Sequence, residues 1–320
     1  MTQPPQDLLL IDANSLIHRC FHALPPLTTK DGKPAQSLYG MASIFLRMWR
    51  SERPAYAAAL FDRPEPTFRK KQYPEYKATR PPAPSELIQQ IVSAHELFPA
   101  FGIQAFERAG YEADDLIATF AERFGKTPGV RVVILTGDTD TLQLVRDERI
   151  VVRAFRTGLS DTVTYDERAV RERYGLAPEQ LADYKALVGD VSDNVKGVPG
   201  IGPKTAQALL SRFGTLDGMF RRIATEDPKR AARIVGFRDR AEEARGLVLL
   251  ERNVPIPTPA LEELRVDVPD ARIREYLDEQ GFASLIRRLD GPDTPKKQAP
   301  GVERKRQKSA YPKKPQGSMF

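Results

Sequence analysis

The sequence predicts an α/β protein in which a parallel sheet, covered by helices on both faces, is followed by a purely helical unit. Three observations carry that prediction. Short apolar runs of strand length recur, each ending at or just before an acidic residue. Amphipathic helical stretches lie between them. Strand signals fade beyond about residue 166, leaving helical patterns punctuated by Gly and Pro. Strands buried on both faces read as continuous apolar runs rather than as alternating ones.

Leu8-Leu9-Leu10-Ile11 leads into Asp12, and the run from Ala57 to Phe61 leads into Asp62. Ser85 opens a helix with apolar residues at 87, 88, 91, 92, 97 and 98. Glu112-Ala113-Asp114-Asp115 opens the next, which carries Leu116, Ile117, Phe120, Ala121 and Phe124. Val130 to Leu135 is a third strand, running into Thr136-Gly137-Asp138-Thr139-Asp140. Helices are then expected around 178–188, 203–212, 217–224, 238–250 and 270–289. We therefore divide the chain into a sheet domain over 1–172, a helical domain over 173–291 and a tail over 292–320.

The chain has 320 residues, 41% hydrophobic and 29% charged, a balance that supports a buried core in one or two domains. No apolar run is long enough to span a membrane, and the N-terminus lacks a secretion pattern, so a cytoplasmic location near the nucleoid is expected. Cys20 is the only cysteine, and His18, His22 and His95 show no zinc-ligand spacing. The net charge of +6 is local: residues 292–320 hold eight Lys/Arg against Asp293 and Glu303, which is the whole surplus. That tail is rich in Pro, Gln, Gly and Ser, reads as disordered, and suits loose contact with polyanions or with replication and repair partners.

In an open parallel sheet, ligands bind beyond the carboxyl ends of the strands. That edge is where Asp12, Asp62, Asp138 and Asp140 are expected to stand. Glu112, Asp114 and Asp115 open a helix, with Glu112 and Asp115 on one face, and Asp190 and Asp193 share the same spacing of three. Each acid alone has an ordinary explanation: first-turn acids favour the helix dipole, and Asp is frequent in turns. Nine carboxylates brought to one edge repel one another unless a cation joins them. Mg²⁺ or Mn²⁺ fits, because hard cations take carboxylates, water and substrate phosphate. Two such ions stabilise both the attacking and the leaving oxygen of an in-line displacement at phosphorus.

Two further features suit DNA. Lys196 is followed by Gly197-Val198-Pro199-Gly200-Ile201-Gly202-Pro203-Lys204-Thr205, a glycine-studded hairpin entering a helix. Gly197, Gly200 and Gly202 let a phosphate approach the backbone, the helix start offers free N–H groups, and Lys204 and Thr205 add a charge and a hydroxyl. This is the pattern of a helix–hairpin–helix clamp. After Asp62, basic residues (Arg69 and Lys77 among them) interleave with Tyr73 and Tyr76 up to Arg80, a composition that suits a single-stranded path.

On Ile11-Asp12-Ala13-Asn14-Ser15, Phe61-Asp62, Tyr73 to Arg80, Gly110 to Asp115, Thr136 to Asp140, Gly189 to Asn194 and the hairpin, the chain resembles the bacterial 5′ nucleases. These include the N-terminal domain of DNA polymerase I and the flap endonucleases. The resemblance covers about residues 7–290. It implies a PIN-like core, a helix–three-turn–helix domain and a helical arch over about 63–100, with Lys77 and Arg80 beside the scissile phosphate. It assigns Asp12, Asp62, Glu112, Asp114 and Asp115 to one metal site. Asp138, Asp140, Asp190 and Asp193 complete that site or form a second. It also implies K⁺ at the hairpin, and DNA 5′ flaps, nicks and duplex ends, with RNA primers on DNA, as substrates of a monomer. Ala13 and Thr139 depart from the family's frequent Gly and Lys. No polymerase segment follows, so a free-standing nuclease is expected. The alternatives are a PIN-type ribonuclease, which needs neither hairpin nor later acids, and a non-catalytic DNA-junction binder, which would have lost carboxylates.

Overall fold

The computed structural model describes residues 4–291, so the basic tail at 292–320 lies outside the described residues. The first half runs β1 (Gln6–Asp12), α1 (Ala13–Ala23), α2 (Gln36–Ser51), β2 (Tyr56–Phe61), α3 (Phe68–Gln72), α4 (Ser85–Ala100), β3 (Gln104–Glu107), α5 (Ala113–Phe124), β4 (Val130–Thr136), β5 (Ile150–Phe155) and β6 (Thr162–Tyr165). The second runs α6 (Glu167–Tyr174), α7 (Leu181–Val188), β7 (Gly189–Asp190), β8 (Val195–Lys196), α8 (Pro203–Phe213), α9 (Leu216–Glu226), α10 (Pro228–Ile234), α11 (Arg238–Val248), α12 (Asp270–Gln280) and α13 (Ala283–Asp290).

Six strands form one sheet in the order β3-β2-β1-β4-β5-β6. Five run parallel, and β6 returns antiparallel along β5. Successive side chains leave opposite faces. Leu9, Ile11, Ala59 and Leu135 pack with α1, α2 and α4 on one side. Leu8, Leu10, Leu60 and Ile134 pack with α5 on the other. Asp12 lies in register with Leu60, and Ile11 with Leu135, so the chain leaves β1, β2 and β4 at one edge.

A third core, including Leu187, Leu210, Met219 and Ile223, unites α7 to α11 around the two-stranded β7–β8 ribbon. Capping residues set the helix starts here: Thr215 accepts from the Gly218 amide and Asp227 from the Arg230 amide, interactions each worth ~1 kcal/mol. The Asp227-Pro228 start explains α10, which the apolar periodicity did not reveal.

Two expectations need correction. The single helix at 270–289 is broken at Gly281, whose φ of +80° ends α12 in a left-handed cap. The two helices also leave the helical unit: Ile273, Leu277, Phe282 and Leu285 bury their apolar stripe in the first core of the sheet. Residues 173–291 are thus not one packing unit. Among the described residues no helix is long and apolar enough to cross a membrane.

Candidate active site

The cleft is built at the carboxyl edge of the sheet. Asp12 ends β1 and caps α1: its Oδ1 accepts from the Ser15 amide at 3.0 Å and its Oδ2 from the Thr136 hydroxyl at 2.6 Å. Asp62 follows β2, and its Oδ1 takes the Ala113 amide at 2.7 Å, which ties it to the start of α5. Beyond β4 the chain turns at Gly137, whose N–H donates to Ser15 Oγ at 2.8 Å where a side chain would collide. Asp138 Oδ1 then accepts from the Asp140 amide at 2.9 Å. The sequence logic of a strand ending in an acid is therefore realised three times at one edge.

From the second unit, Asp190 Oδ1 accepts from the Ser192 amide and hydroxyl at 2.9 and 2.5 Å, which closes the turn carrying Asp193. The segment 73–80 joins the two halves. Lys77 is held in a left-handed conformation (φ 54°), a sparsely populated region for a side-chain-bearing residue. Its N–H donates to the Asp193 carbonyl at 2.9 Å. Lys77 Nζ reaches Glu112 Oε1 at 2.8 Å, and Arg80 Nη2 reaches Asp193 Oδ1 at 2.6 Å.

The carboxylates press on one another. Burial, with the charges of Asp62 and Asp138, raises Asp12 to about 7 despite its two hydrogen bonds. Burial and the Asp138 charge likewise raise Asp140 to about 7. Asp114 is raised by burial and by Asp12, Asp138 and Asp140, and its Oδ1 is buried without a partner among the described residues. Asp190 moves the other way: against its burial, Lys185 at 2.7 Å lowers it to about 2. Among the described residues no three His, Cys, Asp or Glu side chains meet at one point as a ready-made metal nest. Ammonium and guanidinium groups stand among the acids instead. The donors are all oxygens, and the orphaned Asp114 oxygen needs a cation or donor, so the set fits hard divalent ions.

Three residues expected to meet DNA or metal do something else. Arg69 is 1% exposed: it pairs in a fork with Asp115 at 2.7 Å twice and donates to the Leu247 and Leu249 carbonyls at 2.8 Å. Asp115, fully buried, also accepts from the Glu112 and Glu251 amides, so its oxygens are committed to protein partners. Tyr76 is 3% exposed and donates to Glu112 at 3.0 Å or Asp193 at 3.1 Å, so its ring is not open for base stacking. Of the basic and aromatic residues between Arg69 and Arg80, Arg69 and Tyr76 are thus internal scaffolding.

The hairpin glycines also divide. A Cβ on Gly197 would lie 2.4 Å from the Gly189 N and Val188 C atoms, so this glycine serves strand-to-strand packing. Gly200 and Gly202 have nothing within 4 Å and leave the loop surface bare. Gly202 caps α8 without a side-chain acceptor, and exposed Lys204 follows. Thr205 is partly exposed, while exposed Lys196 is occupied with Glu75 at 3.3 Å.

Lys185 escaped the sequence reading. Its Nζ donates to Asp140 and, at 2.7 Å, to Asp190 Oδ2. The available signal was a lone lysine in the otherwise apolar second half of a helix, five residues before Asp190.

Comparison with known proteins shows the family and the fold. Residues 7–175 match the family model described as the 5′-3′ exonuclease N-terminal resolvase-like domain, and residues 176–272 match the 5′-3′ exonuclease C-terminal SAM fold. DNA polymerase I of Caldicellulosiruptor bescii is 39% identical over 285 residues, covering 88% of this chain and 33% of that protein. The chain thus spans about a third of the length of the DNA polymerase I relatives it matches. A 5′-3′ exonuclease of Aquifex aeolicus is 35% identical over 287 residues, covering 88% of this chain and 95% of the relative. The fold is similar to that of the bacteriophage T5 flap endonuclease in a complex with DNA and metal ions (TM-score 0.61, 19% identity, 89% of this chain and 97% of that one).

Proposed function

The chain belongs to the 5′-3′ exonuclease family, and from that premise we propose that it is a metal-dependent 5′ nuclease acting on DNA flaps, nicks and duplex 5′ ends. One observation carries the reading. Asp12, Asp62, Asp138 and Asp140 gather at one sheet edge with the partnerless Asp114 oxygen among them, an excess of negative charge that divalent cations relieve.

Asp12, Asp62, Glu112 and Asp114 would hold one Mg²⁺ or Mn²⁺, and Asp138, Asp140, Asp190 and Asp193 the second. Bound there, the ions supply Lewis-acid stabilisation of both oxygens of an in-line displacement at phosphorus. The chain's own residues do the rest. Asp115, locked to Arg69, sets the angle of the α5 start and with it Glu112 and Asp114. Lys77 and Arg80 stand at the cleft in contact with its acids, poised to trade Glu112 and Asp193 for a substrate phosphate. The Gly200–Thr205 turn and the free N–H groups of α8 grip duplex phosphates without reading sequence, with K⁺ as a further ligand there. In this reading the segment 73–84 leads the 5′ strand past Lys77 and Arg80. Helix α4, expected to belong to an arch over about 63–100, packs instead in the first core of the sheet. The protein acts as a monomer in the cytoplasm. RNA primers on DNA are substrates alongside DNA flaps.

The test is cleavage of a 5′-labelled flap duplex beside single-stranded RNA, in Mg²⁺, Mn²⁺ or EDTA. We expect metal-dependent release of short 5′ products from the flap, with the RNA left intact. Tight flap binding without cutting in either metal sinks the enzyme in favour of a junction binder. Cleavage of RNA alone turns the reading to a PIN-type ribonuclease.

A further inference from the structure

Thr139, between Asp138 and Asp140, carries no charge, yet Asp140 is not without a cation. The charge comes from the other side of the cleft, from α7. Lys185 projects from a helix anchored by buried Leu181, Ala186 and Leu187. Its side chain is 21% exposed and its Nζ bridges two carboxylates from different parts of the fold: Asp140, on the loop after β4, and Asp190, at the end of β7. An ammonium between two carboxylates donates to both in charge-assisted hydrogen bonds. Among the described residues no other lysine or arginine pairs with either acid.

We propose that Lys185 is a positioning residue of the second cation site, holding Asp140 and Asp190 at a common separation and weakening that site's hold on a free divalent ion. The inference rests on the metal-dependent reading above. Two carboxylates delivered by separate elements repel, and the ammonium between them removes that repulsion while the cleft is being formed. The same charge opposes a divalent cation arriving at the same oxygens. It attracts a phosphate, so ion and substrate bind there more favourably together than the ion does alone.

The experiment is calorimetric titration of Mn²⁺ into the full chain, with steady-state cleavage of a flap duplex as a second readout. Lys185→Met should bind Mn²⁺ ~10-fold more tightly, because removing the ammonium removes a positive charge that repels the arriving ion. Its kcat should fall while its metal requirement shifts to lower concentration. Lys185→Arg should behave as wild type. Adding Thr139→Lys to Lys185→Met, which returns a cation beside Asp140, should restore the weaker wild-type affinity. Unchanged or weaker Mn²⁺ binding by a folded Lys185→Met variant overturns the proposal. Should that variant not fold, Thr139→Lys alone decides: the added cation must weaken Mn²⁺ binding, and an unaltered titration overturns the idea. Wild-type protein that takes up no Mn²⁺ in either presence or absence of DNA refutes the metal-dependent reading itself, a result distinct from the Lys185 outcomes.

Discussion

Asp12 is 5% exposed, and two hydrogen bonds to its carboxylate do not keep it in the usual acidic range. Burial acts first, Asp62 and Asp138 add to it, and the group rises from 3.8 to about 7. Asp140 rises to the same value. A carboxyl whose folded pKa stands above its unfolded one holds its proton more tightly when folded. Its effect on stability is therefore best at low pH and is lost as pH rises from about 4 through about 7. In EDTA, then, the melting temperature should fall as pH rises from about 4 to about 7 and level off above, and Mg²⁺ should recover the loss at the upper end. Asp12→Asn should flatten that slope; a slope identical to wild type would show that Asp12 is not the group responsible. Asp138 tests the chemistry more directly. Asp138→Ala should abolish cleavage while leaving flap binding in Ca²⁺ largely intact, and unchanged cleavage would remove Asp138 from the active site.

At the scale of elements, the five-residue helix α3 matters out of proportion to its length. Through Arg69 it clasps the start of α5 and the carbonyls at the end of α11, linking the sheet to the helical unit. Removing the guanidinium leaves the Asp115 carboxyl group fully buried with only amide partners. Arg69→Met should cost ~3–5 kcal/mol, the range for breaking a buried ion pair on one side. Urea unfolding measures it, and a loss below ~1 kcal/mol would return Arg69 to the role of a surface ion pair. This is also where sequence reading reached its limit. Strands β1, β2 and β4 were legible because burial on both faces makes an uninterrupted apolar run, and their acids because each closes such a run. By contrast β3 and β6, four residues each and mostly not buried, carry no such run, and β5 ends in no acid. A basic residue such as Arg69 looks the same in sequence whether it faces solvent or a buried carboxylate 46 positions away. Gly197 and Gly200 likewise look alike, although one answers a close backbone approach and the other faces open space.

For the whole molecule, the cleft is neither a property of the sheet nor of the helices but of their apposition. Asp140 meets Lys185, Lys77 meets the Asp193 carbonyl, and Gln143 exchanges hydrogen bonds with Val248 and Leu250, all across that seam. The acids that hold metal in our reading therefore lie within residues 4–291, whereas the net positive charge does not. Residues 292–320 contribute eight basic groups and two acids, leaving the remainder close to neutral. Long-range attraction to DNA and chemistry at the cleft should be separable on that basis. A chain ending at Gly291 should bind a flap duplex more weakly at low salt, and its plot of log affinity against log salt should be shallower by ~0.9 for each phosphate that the tail had neutralised. Its cleavage rate at saturating enzyme should match the full chain, because every carboxylate and the α8 turn remain. An unchanged salt slope would mean the tail's charge meets no phosphate, and a reduced saturated rate would mean that the tail also shapes the cleft.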